Sequence, residues 1–523
     1  MRAVHDGSVQ QSVRLAEVVA SLSLATGLCT GQPIEHGLRR GLLAVWLGEA
    51  LDLGPAELSD AFYVALLGSV GCTVEQTMFA KYAKDDIALN AKTLTIDPTN
   101  RLQMYAFGVR NFGAGEGPLR RAGRVFAAIR AGGPAEFQAV CRDVAQRIGE
   151  MLDIGPTIQQ ALTQCHETWN GRGGPRGLKA DEIALPARIF HVASDAEISC
   201  RMDGVEAAVA RSRRQAGSFL DPAVVDRFCS VAEDLFRRLE TKEPWDAVMA
   251  AEPAPLRWLS DEEADDYART IANFVDLRSP YTLGHSTGVG SLAEQTARSM
   301  GLPEDDAVAL RRAGYLHDIG RIGVPASFWN TSTPWTTAEW DRAKQHPALT
   351  ELVLARSTAL GNLGTLAGLH HERLDGSGYR GVRGSFLPVA ARILAAADTY
   401  HAKTEPRPHR EALGPDAASE EIRSQVRRGG LDGDVVEALL AAAGHAEPVE
   451  PTPEAPGGLS DREVEVLRLM VRGLSNRGMA EILFISPKTV GHHVEHIYAK
   501  LGISTRVGAT LFAIEHGLVP EHP

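Results

Sequence analysis

The sequence predicts an all-α protein in which two related helical regions precede a small terminal domain. The alternation of apolar and polar residues that marks a half-buried strand is nearly absent along the 523 residues. Apolar residues recur instead at helical spacing, as they do between Ala307 and Ile319. A chain of this length, in which 44% of the residues are hydrophobic, is expected to form several cores.

Composition narrows the class of protein further. No apolar run approaches the roughly 20 residues that a membrane-spanning helix needs, and the N-terminus lacks a signal-peptide pattern. We therefore expect a cytoplasmic protein with no membrane partner. The six cysteines, all at or before Cys229, show neither paired nor metal-binding spacing, so reduced structural thiols are expected. The net charge of −12 favours solubility and repels DNA at long range.

The second half of the chain contains an ordered set of histidines and aspartates. Imidazole and carboxylate groups together suit iron, manganese or zinc, and a carboxylate that reaches two ions can build a binuclear hydrolytic centre. Any one of these residues alone is more often an ordinary core or surface side chain. The set as a whole predicts a metal site. Its seven candidate ligands are His285, His317, Asp318, His346, His370, His371 and Asp398.

The doublet His317-Asp318 is expected in the last turn of a helix that runs from Ala307 to Ile319 and ends near Gly320. Adjacent helical side chains diverge by about 100°, so one can contact a single ion while the other reaches between two. Bound cations lower the pKa of water from about 15.7 to about 7, which makes a nucleophile for phosphorus available near neutral pH.

Six segments around these residues form a series along the chain: Tyr281-Thr-Leu-Gly-His285, Leu316-His317-Asp318-Ile-Gly-Arg321-Ile-Gly-Val-Pro325, Gln345-His346-Pro347, His370-His-Glu-Arg-Leu-Asp375-Gly-Ser-Gly-Tyr379, Ala391-Arg-Ile-Leu-Ala-Ala-Ala-Asp398 and Arg407-Pro-His-Arg410. From about Trp258 to His445, the series resembles the HD-GYP phosphodiesterases. The resemblance implies an all-helical enzyme that hydrolyses cyclic dinucleotides, above all cyclic di-GMP, with two or three metal ions. It also implies a ligand partition: one ion at His285, His317 and Asp398, the other at His346, His370 and His371, and Asp318 as the bridge.

The sequence departs from the family pattern at three places. Trinuclear members carry a glutamate where this chain has Tyr281, so we expect two divalent ions, with iron or manganese as the first choice and zinc as an alternative. The usual lysine is Arg321, whose guanidinium binds phosphate as a fork but cannot give up a proton. The eponymous Gly-Tyr-Pro is Gly378-Tyr379-Arg380, so the loop that shapes the family's substrate pocket has lost its proline.

Roles can be assigned to the residues around the metal set. Asp318 and Arg321 are the predicted catalytic residues. Arginines are candidates to hold phosphate oxygens, although a solvated surface charge is an equal alternative for any one of them. Asp375 and Tyr379 are expected to shape the loop or contact bases. The predicted substrate-binding residues are Arg321, Asp375, Tyr379, Arg380, Arg407 and Arg410.

The first half of the chain resembles the second. His36 precedes Gly68 at the spacing at which His285 precedes His317, and Pro186-Ala-Arg-Ile189 parallels Ala390-Ala-Arg-Ile393. We interpret this as an internal duplication, with one HD-type copy over residues 1–250 and the other over residues 258–445.

The first copy lacks the metal ligands. Gly68-Ser69 replaces the doublet, Cys165 replaces the first histidine of the later pair, and Ser194 replaces the last aspartate. The remaining His36 and His166 cannot hold a binuclear centre alone. The segment between Cys72 and Cys165 is longer than its counterpart, which predicts inserted helices.

A third set of motifs ends the chain, after a Pro-rich acidic linker at residues 446–458. Ser486 suits a helix N-cap and Pro487 the first helical position. The whole of residues 459–523 is similar to the LuxR-type helix-turn-helix. The predicted recognition helix, Pro487 to Leu501, would enter the major groove of DNA and turn Val490, Val494 and Ile497 toward the core. Its predicted DNA contacts are Lys488, Thr489, His492 and His493.

This segment carries seven Lys or Arg against seven Asp or Glu, so it lacks the broad basic surface of a non-specific DNA binder. The match over the whole motif nevertheless favours DNA binding. LuxR-type domains dimerise through their closing helix, here about Arg506 to His516. A homodimer would have Val507, Ala509, Leu511 and Ile514 as its apolar seam, although these residues can equally be core.

Three functions remain open at this point. The first is a bacterial regulator that joins a metal-dependent cyclic-dinucleotide phosphodiesterase, with cyclic di-GMP as the expected substrate, to a sequence-specific DNA-binding domain. The second is a nucleotide sensor with little turnover, which Arg321 and the missing proline favour. The third is a phosphohydrolase of another nucleotide, because the metals set the reaction type while the pocket sets the substrate.

Overall fold

A computed structural model describes residues 13–519, with gaps at 81–82, 94–95, 97–100, 114–116, 131–133, 242, 445–455 and 484. Helices make up 69% of it. The one sheet in the described part of the chain pairs strand β1 (Val13–Arg14) antiparallel with strand β2 (Trp258–Leu259). The all-α prediction is confirmed. Most of the predicted Pro-rich linker lies outside the described residues.

Within the described residues of the first lobe, 13–251, the regular elements apart from β1 are helices. The long segment between Cys72 and Cys165 folds into helices, as predicted. The helices are α1 (Leu15–Thr30), α2 (His36–Ala50), α3 (Pro55–Leu67), α4 (Cys72–Phe79), α5 (Asp86–Thr93), α6 (Arg101–Asn111), α7 (Pro118–Arg130), α8 (Pro134–Met151), α9 (Pro156–Leu162), α10 (Leu185–Asp203), α11 (Val205–Gln215), α12 (Pro222–Glu240) and α13 (Pro244–Ala251).

The second lobe, residues 258–444, contains every predicted metal ligand. A 3-10 helix, Ile319–Gly323, separates its third and fourth α-helices. The helices are α14 (Asp261–Asp276), α15 (His285–Ser299), α16 (Glu304–Leu316), α17 (Ala326–Trp329), α18 (Thr337–Ala343), α19 (His346–Leu354), α20 (Gly361–Ala367), α21 (Val389–Thr404), α22 (Pro415–Arg427) and α23 (Gly433–Gly444).

The helix before the doublet differs from its predicted bounds. It starts earlier, at Glu304, and ends at Leu316, so His317 and Asp318 follow the helix instead of forming its last turn. Asp318 leaves the helical conformation with φ −100° and ψ 7°, and the 3-10 helix begins at the next residue. The change of helix type turns the chain toward α19, which carries another predicted ligand.

The two lobes share one hydrophobic core. Helix α1 packs against the 3-10 helix and α19, and Ile319 and Ile322 are fully buried in the common cluster. Arg278, which is buried between the lobes, donates to the carbonyl oxygens of Thr73 at 3.2 Å and of Val324 at 2.9 Å. The segment that carries the predicted doublet is therefore supported by both lobes.

A close helix crossing brings the first two predicted ligands together. Helices α15 and α16 meet at Gly290 and Gly314, where a Cβ added to Gly314 would lie 2.4 Å from the Cα of Gly290. Only glycine at both positions permits the two helices to approach this closely.

The start of α15 is fixed by Asp276, whose carboxylate accepts from the Ser286 N–H at 2.9 Å and from the Ser286 hydroxyl at 2.8 Å.

The terminal domain, residues 459–519, contains four helices in its described part. The second and third form the helix-turn-helix, and the third has the predicted bounds. Ser486 caps it by accepting from the Thr489 N–H at 3.0 Å, and Val490 and Ile497 are fully buried. The helices are α24 (Asp461–Val471), α25 (Asn476–Leu483), α26 (Pro487–Leu501) and α27 (Arg506–Glu515).

Helix α27 also docks on the first lobe, against α8, and contacts α14 of the second. The buried carboxylate of Asp143 accepts from the Ser504 N–H at 3.1 Å. Arg147 forms an ion pair with Glu515 and lies 5.3 Å from the ring centroid of Phe512. Leu511 belongs to the core that the lobes share.

No described helix has the length and apolar character needed to cross a membrane.

The predicted dimer seam is accordingly covered within the chain. Ala509 and Leu511 are fully buried, and Val507 and Ile514 pack against the core that the lobes share. These residues act as core in this arrangement, which is the alternative that the sequence left open.

One side chain clamps the doublet to α19. The hydroxyl of Thr350 donates to the His317 carbonyl at 2.8 Å and accepts from the Gly320 N–H at 3.0 Å. A Cβ added to Gly320 would lie 2.0 Å from the His346 carbonyl oxygen, so the 3-10 helix and α19 are in direct backbone contact. The clamp sets the distance between the ligands of the two segments.

Thr350→Val should lower stability by about 3 kcal/mol, because it leaves two buried backbone groups without a partner. It should also weaken metal retention by about 10-fold, as loss of groups that orient ligands does. Thermal unfolding and metal analysis after dialysis would measure both effects. The exposed Thr365→Val on α20 is the matched control. Equal behaviour of the two variants would contradict the clamp.

Candidate metal centre

The seven predicted ligands converge from the ends of short segments. His285 and His346 are the first residues of α15 and α19, His317 and Asp318 follow α16, and the pair at 370–371 follows α20. Asp398 comes from the middle of α21. Six of the seven side chains are buried, and His371 is partly exposed. The structure thus brings the complete predicted set into one place.

Backbone contacts orient three of the imidazoles in the same way. The Nδ1 atoms of His317, His346 and His370 lie 2.7, 2.7 and 2.6 Å from the carbonyl oxygens three residues earlier. A neutral ring that donates through Nδ1 carries its lone pair on Nε2, and here Nε2 points into the cluster. This is the orientation of a metal-ligating histidine whose second nitrogen is held by the protein.

The inward-facing nitrogens lack protein donors. The Nε2 atoms of His346 and His370 are 3.1 Å apart, so two lone pairs face each other when both rings donate through Nδ1. The buried Nε2 of His317 makes no hydrogen bond to any described group. A shared cation would remove this repulsion and satisfy these atoms, so the donor set fits a metal centre.

Asp318 faces both groups of histidines. Its Oδ1 lies 3.4 Å from Nε2 of His346 and 3.7 Å from that of His370. Its Oδ2 lies 3.6 Å from Nε2 of His317 and 4.0 Å from that of His285. One oxygen per group is the arrangement that a bridging carboxylate requires.

Asp398 approaches both groups from the other side. Its Oδ1 lies 3.3 Å from Nε2 of His285, and its Oδ2 lies 3.4 Å from Nδ1 of His371. This geometry is compatible with the predicted partition of ligands between two ions. The partition itself stays a prediction.

Burial keeps the second group of histidines neutral. It lowers the pKa of His346 to about 4 and that of His370 to about 3, and it holds the pKa of His371 well below its usual value. Burial alone would raise the pKa of Asp318, but Arg321 and the surrounding histidines outweigh it and hold the pKa well below the ordinary range. Neutral imidazoles around an ionised carboxylate form a ligand set that is ready for a cation.

Two residues beside the centre were missed by sequence reasoning. Nδ1 of His285 lies 2.9 Å from Glu405 Oε2, and Nδ1 of His401 lies 3.0 Å from Glu405 Oε1. Burial would lower the pKa of His285, but Glu405 and Asp398 raise it to about 10. A carboxylate behind a ligating histidine fixes the ring and raises its basicity. The available signal for His401 was its spacing, since it follows Asp398 by three residues on the same helix face, whereas Glu405 lies just beyond the end of α21 and had no such signal.

The structure places two of the six predicted substrate-binding residues beside the ligands. Arg321 Nη1 lies 2.7 Å from Asp318 Oδ2, and its guanidinium stacks 4.0 Å from the ring centroid of Trp329. The ring of Tyr379 lies 4.4 Å from that of His371. Trp329 thus lies beside the centre as well, and sequence reasoning missed it.

The other four predicted substrate contacts are engaged with other protein groups. Arg380 pairs with Glu351 at 2.6 Å, and Arg407 contacts Glu405 at 2.8 Å. Arg410 donates to several main-chain carbonyl oxygens, including that of Glu405 at 3.2 Å. The exposed carboxylate of Asp375 accepts from the Ser377 N–H at 2.9 Å within its own turn. Their contacts with substrate remain predictions.

A buried arginine stands at the lost doublet of the first lobe. Arg40 donates to the Ala65 carbonyl at 2.7 Å and to the Ser69 hydroxyl at 2.8 Å, and it stacks 4.7 Å from the ring centroid of Phe190. Burial lowers the pKa of Arg40 to about 10, so the guanidinium remains charged at neutral pH. A fixed positive charge thus lies where the predicted duplication places the counterpart of the second lobe's His317-Asp318 doublet.

Comparisons with known proteins agree with this organisation. The HD domain family model matches residues 144–224 and 269–435, so it matches parts of both lobes. The model of the bacterial regulatory proteins of the luxR family matches residues 458–513. HD-domain phosphodiesterases are metal-dependent hydrolases.

Curated relatives and a solved structure extend the match. The chain is 30% identical over 417 residues to 3'3'-cGAMP-specific phosphodiesterase 3 of Vibrio cholerae, covering 78% of this chain and 90% of the relative. It is 32% identical over 200 residues to the cyclic di-GMP phosphodiesterase response regulator RpfG of Xanthomonas campestris, covering 38% and 52%. The crystal structure of a cyclic GMP-AMP-specific phosphodiesterase of V. cholerae covers 83% of this chain and 99% of that one, with 25% identity and a TM-score of 0.58. The chain therefore belongs to the HD-GYP group of HD-domain phosphodiesterases and carries a LuxR-type domain over residues 458–513.

Proposed function

We propose that the second lobe hydrolyses a phosphodiester bond of a cyclic dinucleotide and that the terminal domain binds DNA. The observation that carries the hydrolytic half is the convergence of seven ligand-type side chains, three of them held through Nδ1 with Nε2 directed inward. The family relationship supports the reaction type.

We assign two divalent ions to this centre, with iron or manganese as the first choice and zinc as an alternative. Asp318 would bridge them, His285, His317 and Asp398 would hold one, and the remaining histidines would hold the other. Such ions, when bound, supply an activated water and neutralise phosphate charge.

Arg321 is in position to bind a phosphate oxygen. Its contact with Asp318 uses Nη1 of a group that has five N–H donors, and the ring of Trp329 limits its movement. A guanidinium held beside the bridging carboxylate can therefore orient the scissile phosphate. It cannot serve as the general acid, since it does not release a proton at accessible pH.

Aromatic groups beside the ligands suit the bases of the substrate. The ring of Tyr379 lies against that of His371 at a tilt of 43°, and the ring centroids of Trp329 and His346 are 5.9 Å apart. The buried Nε1 of Trp329 makes no hydrogen bond to any described group, so it can donate to a ligand. Stacking on an aromatic side chain contributes about 1–3 kcal/mol per base.

The substrate we put first is 3'3'-cGAMP, and cyclic di-GMP is the second candidate. The sequence alone favoured cyclic di-GMP. The V. cholerae relative that is named for 3'3'-cGAMP covers 78% of this chain, whereas the Xanthomonas relative that is named for cyclic di-GMP covers 38%. Both nucleotides carry the same type of phosphodiester bond, so the same centre fits either.

A sensor with slow turnover is the second candidate function. Arg321 in place of the family lysine, together with Arg380 in place of the proline, favours it. Incubation of metal-loaded protein with each nucleotide distinguishes the two functions, because a linear product supports the enzyme and bound intact nucleotide supports the sensor.

Asp318→Asn should reduce hydrolysis of the preferred cyclic dinucleotide by at least about 100-fold while the protein stays folded. The change keeps the shape of the side chain but removes the charge that faces both groups of histidines. Chromatographic analysis of products would measure the loss, and circular dichroism would check the fold. Asp305→Asn, an exposed change on α16, is the matched control. Unchanged turnover in Asp318→Asn would place the chemistry elsewhere.

For the DNA-binding half, we propose that α26 enters the major groove. Lys488, Thr489 and His492 are exposed on it, and His493 is partly exposed. Dimerisation through α27 would place two such helices on half-sites about one helical turn apart. We also propose a cytoplasmic location, because both DNA and cyclic dinucleotides are found in the bacterial cytoplasm.

We further propose that docking of α27 opposes DNA binding. The seam that a partner would need is covered by the lobes, so the dimer requires α27 to leave α8. The loop before His285 contacts the terminal domain, because Leu283 packs against that domain's core and Gly473 lies near Pro280. A nucleotide in the second lobe can therefore alter the dock through this loop.

Asp143→Ala should raise DNA affinity of the full-length protein about 5-fold or more, since it removes the acceptor that holds Ser504. The measurement is binding to a selected operator at fixed salt. Asp234→Ala, an exposed change on α12, is the control and should bind as the wild type does. Identical isotherms for both variants and the wild type would contradict inhibition by this dock.

A further inference from the structure

Three side chains of the first lobe meet outside the centre described above. Their potential ligand atoms, the sulfurs of Cys72 and Cys141 and a ring nitrogen of His166, all lie within 4.8 Å of one another. The Cys72 sulfur is 3.9 Å from Nε2 of His166. All six cysteines lie within the described residues, and no disulfide bond joins any two of them. His166 stands at the position of His371 in the predicted duplication, whereas neither the sequence spacing nor the family ligand set points to the two cysteines.

The fold holds the three residues firmly. Cys72 is the first residue of α4, and Cys141 lies in α8. A Cβ added to Gly71 would lie 2.4 Å from the Cys141 carbonyl oxygen, so the start of α4 is pressed against α8. The His166 carbonyl accepts from the Gly174 N–H at 3.1 Å, which fixes the loop after α9.

The 3.9 Å between the Cys72 sulfur and Nε2 of His166 is close to the separation that a tetrahedral zinc ion imposes on two of its ligands. Zn–S bonds of about 2.3 Å and Zn–N bonds of about 2.0–2.1 Å place sulfur and nitrogen ligands roughly 3.6 Å apart. Two thiolates and an imidazole are ligands that zinc prefers over the harder cations. The start of a helix also favours the thiolate form of Cys72.

We propose that Cys72, Cys141 and His166 bind one Zn²⁺, a site additional to the centre of the second lobe. Each thiol loses its proton to solvent as a Zn–S bond forms, and His166 contributes the lone pair of its unprotonated nitrogen. Three protein ligands leave one tetrahedral position for water. Cys72 and His166 are partly exposed and Cys141 is buried, so an ion can enter from the solvent side.

The site differs from the second-lobe centre in having sulfur ligands, and cobalt substitution reports this difference. Full-length reduced protein would be freed of metal, loaded with Co²⁺ and examined for sulfur-to-cobalt charge-transfer absorption. We expect one equivalent of cobalt with this absorption, and its loss when Zn²⁺ is added. Asp318→Asn should retain the absorption, because its change lies in a centre without sulfur.

Cys72→Ser and Cys141→Ser should each abolish the absorption and lower the zinc content by one equivalent. Cys200→Ser, a partly exposed cysteine of α10, is the matched control and should retain both. Circular dichroism would establish that the variants are folded. If the buried Cys141→Ser does not fold, Cys72→Ser, at a partly exposed position, provides the test alone.

Three results would overturn the proposal. They are the absence of the absorption from reduced wild type, its persistence in a folded Cys72→Ser variant, and its appearance only at millimolar Co²⁺.

Discussion

The structure of the second lobe depends on one buried negative charge. Asp318 is an ionised carboxylate 3% exposed, and such a group is costly unless opposite charges and hydrogen bonds compensate it. Arg321 and four imidazoles surround it. Arg321 and His317 come from the same segment as Asp318, whereas His285, His346 and His370 come from three other parts of the lobe. The clamp of Thr350 and the contact between Gly320 and α19 are needed because the two oxygens must face different groups of histidines at nearly equal distances. The position of α19 and of the 3-10 helix follows from this requirement.

The first lobe takes part in that requirement although it has lost its own ligands. Helix α1 packs behind the 3-10 helix that follows Asp318, and Arg278 joins the lobes through main-chain carbonyls. Arg40 provides a buried positive charge at Ser69, where the predicted duplication places the counterpart of the His317-Asp318 doublet. The first lobe therefore supports the segment that carries the predicted metal ligands of the second lobe.

Local signals explain what the sequence predicted well. The bounds of α26 follow from Ser486, Pro487 and Gly502, whose capping preferences act within a few residues. The seven candidate ligands could be found because they occur in short motifs at helix ends. Glu405, Trp329 and the cluster at Cys72 could not be found in this way, since their roles depend on contacts between distant segments. The end of α16 was placed too late for a related reason: the turn at Asp318 is set by contact with α19, which helical periodicity does not contain.

The contact of α27 with α8 would make the proposed dimerisation a competition between an intramolecular and an intermolecular partner. A short tether keeps the terminal domain at an effective concentration on the order of millimolar near its own lobe. A second copy of the chain at micromolar concentration is therefore at a disadvantage of roughly a thousandfold for the same helix face. Any signal that loosens the dock by about 4 kcal/mol removes that disadvantage. The response of DNA binding to such a signal would then depend on how many copies of the protein the cell contains. The same signal would increase DNA binding at a high protein concentration and leave it unchanged at a low one.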